Sequence, residues 1–213
     1  MEKTKLLLNN NSSKATTTTQ TNSHCKLAVL ISGSGSNLQA VIDAISNGEI
    51  QDAEIALVIS NKPNAYGLQR AEKAGIASAH IPSADKDKLS KTLEKNNIDA
   101  IVLAGYLSLL PSNVVSNYSG KIINIHPSLI PKYCGKGFYG LKVHQAVIEA
   151  KETETGATIH LVDEEYDTGK ILIQEKVVVK PDDTAEILQK RVLGIEHEII
   201  VKGVKMLVGG FNE

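Results

Sequence analysis

From Lys26 onward, short runs of consecutive apolar residues alternate with segments in which apolar residues recur every three or four positions. The apolar runs are Leu27-Ala28-Val29-Leu30-Ile31, Ile55 to Ile59, Ala100-Ile101-Val102-Leu103-Ala104 and Ile122 to Ile125. Strands buried on both faces carry this pattern. Ser78 to Ile81, stopped by Pro82, reads as a further strand. Between the runs, Leu38, Val41, Ile42 and Ile45 keep helical spacing and end near Gly48. Tyr66 to Ala74 is closed by Gly75, and Leu89 and Leu93 mark an amphipathic, Lys-rich helix. Strands alternating with helices predict a parallel sheet with right-handed crossovers.

The pattern changes after about residue 140. Val143 to Ala150 is helical. Ala157 to Val162 and Ile171 to Val179 then follow as two strands joined by an acidic loop, Asp163 to Gly169, the signature of a β-hairpin. Asp183-Thr184 can cap a last helix from Ala185 to about Val208. The expected fold is α/β: a Rossmann-like, mostly parallel sheet flanked by helices, with an antiparallel C-terminal portion. Residues 1–24 are set apart by composition. Asn9 to Asn22 is almost wholly Asn, Ser, Thr, Gln and Lys, and is expected to form a disordered polar tail. Residues 25–213 are expected to form a single domain.

Charge and composition narrow the function. A net charge of -1 argues against nucleic acid, whose phosphates call for clustered Lys and Arg. Trp is absent, which weakens any proposal resting on base stacking. No apolar run approaches the roughly 20 residues that span a bilayer, so no membrane partner is expected. Two cysteines, Cys25 and Cys134, make neither a disulfide framework nor a CxxC metal site. The polar tail has Lys but no Arg, and carries Glu2, unlike an organellar transit peptide. A cytoplasmic location is the expectation.

Candidate chemistry gathers at strand ends. Gly33-Ser34-Gly35-Ser36-Asn37 joins the first strand to the first helix, where free N–H groups and the dipole suit a phosphate. It is not the dinucleotide fingerprint, because position 38 is Leu. Asn124 and His126 are two apart on a strand, so they share a face. An amide donor beside an imidazole can polarise a carbonyl and manage a proton. Any of Asp163, Glu164, Glu165 and Asp167 can orient that imidazole, and spacing does not choose among them. Leu103-Ala104-Gly105-Tyr106-Leu107 ends another buried strand. In parallel sheets, ligands bind beyond the carboxyl ends of strands, so these three segments should meet. Cys134 to Gly140 is a Gly-rich loop suited to a lid.

SGSGSNLQA, LAGY, NIHPSLIPKY and DEEYDTG occur in that order between about Lys26 and Leu207. On these motifs the chain resembles the phosphoribosylglycinamide formyltransferases, also called glycinamide ribonucleotide transformylases. The resemblance implies formyl transfer from 10-formyltetrahydrofolate, a co-substrate, to the primary amine of glycinamide ribonucleotide in purine biosynthesis, without a metal. It implies a catalytic triad of Asn124, His126 and Asp167. Asn124 would bond the developing oxyanion, and Asp167 would hold His126 cationic. Gly35, Ser36 and Asn37 would grip the substrate phosphate, and Glu196 would contact the glycinamide end. Leu107, Ser108, Leu109 and Leu110, with Asn124, would cradle the folate, and Lys86 would serve its tail. Leu107-Ser108 stands where the family commonly has Met-Arg. The implied partners are these small molecules, for a monomer or homodimer. Two alternatives stand beside this reading. One is formyltetrahydrofolate deformylase, which uses water as acceptor and has His-His-Ser in place of His126-Pro127-Ser128. The other is a non-catalytic phosphometabolite-binding module.

Overall fold

A computed structural model describes residues 24–210 of the chain. The polar-tail expectation therefore falls, except for His24, outside the described residues. Seven strands form one sheet: β1 (Cys25–Ile31), β2 (Ala53–Ser60), β3 (Ser78–His80), β4 (Ala100–Leu103), β5 (Ile122–His126), β6 (Glu154–Leu161) and β7 (Ile171–Val178). Their order is β3-β2-β1-β4-β5-β6-β7. The first five pair in parallel, whereas β6 runs antiparallel to both β5 and β7. Six helices cover the sheet: α1 (Ser36–Ser46), α2 (Tyr66–Lys73), α3 (Lys86–Lys95), α4 (Ser112–Asn117), α5 (Leu141–Glu149) and α6 (Ala185–Val208). The sequence pattern anticipates all of these except α4. That helix has six residues and only Val114 and Val115 as buried apolar positions, too few to show a period.

Strand parity divides the interior into two cores. Leu27, Val29 and Ile31 of β1 pack with Val102, Ile123 and Ile125, against residues of α1, α2, α5 and α6. Ala28 and Leu30 face the other way, with Ile101, Leu103 and Ile122, against Leu89 and Leu93 of α3 and Val114 of α4. Side chains alternate across a strand, so a run with no polar positions buries both faces. Thr184 caps α6 as expected, its hydroxyl accepting from Ile187 N, and Asp85 caps α3 through Lys88 N. Among the described residues, no helix is long and apolar enough to cross a membrane.

This topology fixes where chemistry can gather. Strand order reverses between β1 and β4, and β1, β4 and β5 end on the same edge, leaving a crevice there. The turn after β1 is shaped by close backbone approach. Gly67 N, in α2, donates to Gly33 O at 3.1 Å. Gly35 has φ 68°, and a Cβ there would lie 2.7 Å from Gly67 Cα. Glycine at position 35 therefore serves packing and left-handed geometry as well as any ligand. Gly35→Ala is expected to cost about 1–3 kcal/mol of stability. Gly33→Ala, where an added Cβ meets nothing within 4 Å, should stay within about 0.5 kcal/mol of the parent. Urea unfolding of the two variants checks the contrast.

Candidate active site

A cavity of about 650 Å³ opens at the carboxyl ends of β1, β4 and β5. That size is typical of small-molecule sites. Its wall includes Ser32 to Asn37, Ala104 to Leu107, Asn124 to Pro127, Gly135 to Gly140, Tyr166, Asp167 and Glu196. The three strand-end segments thus meet, as the parallel topology requires. Asn124 and His126 lie on the parity of the α3 and α4 face of β5, at its uncovered end. Beyond His126, the chain leaves the sheet and is pinned by Thr158, whose hydroxyl donates to Ser128 O at 2.6 Å.

Asp167 is the acid that reaches this pair. It occupies the left-handed region at φ 57°, a conformation Asp tolerates better than most residues. Its Oδ2 lies 3.5 Å from His126 Nδ1 and accepts from Gly135 N at 2.8 Å. Asp163 instead ties the loop to itself, accepting from Thr168 Oγ1 and Glu165 N. Glu164 and Glu165 are exposed. His126 Nε2 lies 2.9 Å from Tyr133 O. A carbonyl only accepts, so Nε2 carries a hydrogen and Nδ1, beside Asp167, is the basic nitrogen.

A second histidine completes the arrangement. His160 on β6 pairs directly with Asn124 across the strands. Its Nδ1 lies 2.7 Å from Leu161 O and therefore carries a hydrogen. Its Nε2 accepts from Asn124 Nδ2 at 2.9 Å and lies 3.4 Å from Asp167 Oδ1. The same amide nitrogen reaches Asp167 Oδ1 at 3.3 Å. Both amide hydrogens of Asn124 are thus engaged. The sequence holds no motif pointing to His160; only the antiparallel register of β5 and β6 places it here.

Burial and charge compete at these groups. His126 is 5 % exposed. Burial holds its pKa below the usual 6.5, aided by the neighbouring His160, and outweighs the Asp167 carboxylate and Tyr133 carbonyl that favour the cation. Burial at His126 thus works against the cation that the resemblance implies and favours the neutral imidazole. Asp167 shows the opposite balance. Burial pushes its carboxyl up, but His160, His126 and the Gly135 N–H together hold it below the ordinary value. His144, 1 % exposed on α5 and lining the same cavity, has no partner for Nδ1. Burial, with the nearby His126, pushes its pKa down to about 4.

Other residues singled out in the sequence fall into two groups. Gly35, Ser36, Asn37, Glu196 and Leu107 line the cavity. The Asn37 side chain is engaged there, donating from Nδ2 to Glu196 Oε2 at 2.7 Å, so toward a phosphate it offers its backbone N–H. Burial raises the Glu196 pKa against that hydrogen bond. Ser108, Leu109, Leu110 and Lys86 lie outside the cavity wall. Ser108 turns to Asn61 and Ser83, and Leu110 packs on the second core. Ser32 joins the same polar network, bonding Asn61 and accepting from Leu107 N at 2.8 Å. Among the described residues, no group of three or more His, Cys, Asp or Glu is placed to hold a metal.

Comparison with known proteins gives a consistent result. Residues 25–204 match the family model described as formyl transferase. The chain is 43% identical over 189 residues to a chloroplastic phosphoribosylglycinamide formyltransferase of Vigna unguiculata, covering 85% of this chain and 60% of that protein. The chain thus spans less than two thirds of that relative. It is also 43% identical over 192 residues to the phosphoribosylglycinamide formyltransferase of Haemophilus influenzae, covering 87% and 88% of the two chains. The crystal structure of glycinamide ribonucleotide transformylase 1 from Symbiobacterium toebii superposes with a TM-score of 0.82 at 34% identity, over 90% of each chain.

NMR titration should place His126 below 6.5, and lower still in Asp167→Asn, because the variant removes the charge that favours the imidazolium. A value above 6.5 would refute the balance described. Protein stability should be complete above about pH 6.5 and fall as pH drops toward 4. His144 is buried neutral and binds its proton at higher pH when unfolded. Urea midpoints across that range measure it.

Proposed function

The chain belongs to the formyl transferase family, and on that premise we propose that it transfers the formyl group of 10-formyltetrahydrofolate to the primary amine of glycinamide ribonucleotide. One observation carries the reading: an imidazole beside a half-buried carboxylate and an amide shares one cavity with the N-terminus of α1. The cavity thus offers acid–base groups to an acyl centre and an anion site at one wall.

The chemistry needs a C–N bond formed at the amine and the bond to the folate nitrogen broken. One proton leaves the amine and one reaches the folate nitrogen. His126 Nδ1, neutral at rest, takes the first and becomes the cation that Asp167 stabilises. It then supplies the second. Nε2 stays fixed on the Tyr133 carbonyl throughout. Asn124 stabilises the oxyanion by turning one amide hydrogen away from Asp167 Oδ1, the longer of its two contacts. The turn Gly35-Ser36-Asn37 receives the phosphate on backbone N–H groups, and Glu196 faces the glycinamide end. The folate lies against Leu107. Ser108 supports this wall through Asn61. Leu109, Leu110 and Lys86, outside the cavity wall, are left to the outer folate tail. The reaction takes place in the cytoplasm, on a monomer or homodimer.

Formyl transfer should depend on added glycinamide ribonucleotide. Formyl loss to water without it would instead mark a deformylase, and absence of turnover would mark a binding module. His126→Ala and Asp167→Asn should each lower turnover by roughly 10²–10⁴. The double variant should lose far less than the product of the two, because the pair acts as one unit.

A further inference from the structure

Lys136 sits in the wall of the cavity and, among the described residues, is the only Lys or Arg lining it. Among the described residues, it forms no ion pair or side-chain hydrogen bond. Its backbone setting is a defined turn rather than slack chain. Phe138 N donates to Gly135 O at 3.2 Å, and Gly137 has φ 98°. A positive φ at the third position of a four-residue turn is the type II arrangement, and it puts Lys136 at the corner. The turn is anchored on both sides. Gly135 N bonds Asp167 Oδ2 at 2.8 Å, and the Phe138 ring meets Tyr133 edge-on with centroids 6.1 Å apart.

We propose that Lys136 is the cation that clamps the substrate's phosphate against the N-terminus of α1. This rests on the reading that the substrate is a ribonucleotide amine. A phosphate monoester brings close to two negative charges into a cavity that already holds Asp167 and Glu196. Helix N–H groups carry only partial charge, so a full cation beside them strengthens the hold on a dianion. Arg70 braces the same turn from outside and does not line the cavity. Its Nε donates to Ser34 O at 2.9 Å, its Nη1 donates to Gln39 Oε1 at 3.0 Å, and its guanidinium carbon lies 5.0 Å from the centre of the Tyr66 ring. The phosphate is only a ribose and a glycyl unit from the reacting amine, so it must enter the cavity with it. The folate carboxylates lie at the far end of a long tail and can remain in solvent.

The test uses the full chain and the variants Lys136→Ala and Lys136→Arg. Lys136→Ala should raise the KM for glycinamide ribonucleotide about tenfold, the usual weight of one charge-assisted hydrogen bond, with the folate KM within about twofold. Lys136→Arg should recover most of the loss. Calorimetry with ribose 5-phosphate reads the same contact without turnover, and its Kd should rise about tenfold in Lys136→Ala. A wild-type protein that binds ribose 5-phosphate yet fails to formylate the ribonucleotide would count against the proposed function and leave the clamp standing. An unchanged Kd in Lys136→Ala, or a rise confined to the folate KM, would overturn the clamp.

Discussion

The Asp167 carboxylate receives Gly135 N–H at 2.8 Å and the Asn124 amide at 3.3 Å, and stands 3.5 Å from His126 and 3.4 Å from His160. Through these contacts one side chain joins the β6–β7 loop, the Gly-rich turn, β5 and β6. Removing an acid partner in so enclosed a place leaves several donors without an acceptor, which costs more than a single contact suggests. The left-handed backbone at Asp167 is part of this geometry. Gly169 follows two residues later, where an added Cβ would meet Leu161 O, so the loop returns to the sheet at a point that admits no side chain.

The remaining charges are arranged around that carboxylate. Its pKa stays below the ordinary value despite burial, and it accepts from the Gly135 N–H and the Asn124 amide. His126 is kept neutral by the same burial. The pair therefore rests as a neutral base beside an anion, a poise suited to taking a proton from an amine. Glu196 is buried and raised, with Asn37 as its donor.

The sheet was largely legible because its signal is local. Apolar runs of four or five residues, Gly48 and Gly75 as stops, and Thr184 as a cap each declare an element within a few positions. Asn124 and His126 were legible for a similar reason, since period two puts them on one face and Pro127 marks the strand end. Asp167 could not be told from its acidic neighbours, because the choice depends on a left-handed φ and on the hydrogen bonds that tie up Asp163. His160 is 36 residues from Asn124 and is brought to it only by cross-strand register. The neutral state of His126 was also out of reach. It is the outcome of burial against charge, and burial is a property of the packed chain.

The pH dependence of kcat/KM for glycinamide ribonucleotide, which reports the free protein, tests the account most directly. A base that rests neutral predicts a kcat/KM that is lost as pH falls below about 6.5, with the acid limb lying lower still in Asp167→Asn. A kcat/KM that instead falls as pH rises through the histidine range, or an acid limb that does not move in Asp167→Asn, would contradict a neutral His126 governed by Asp167.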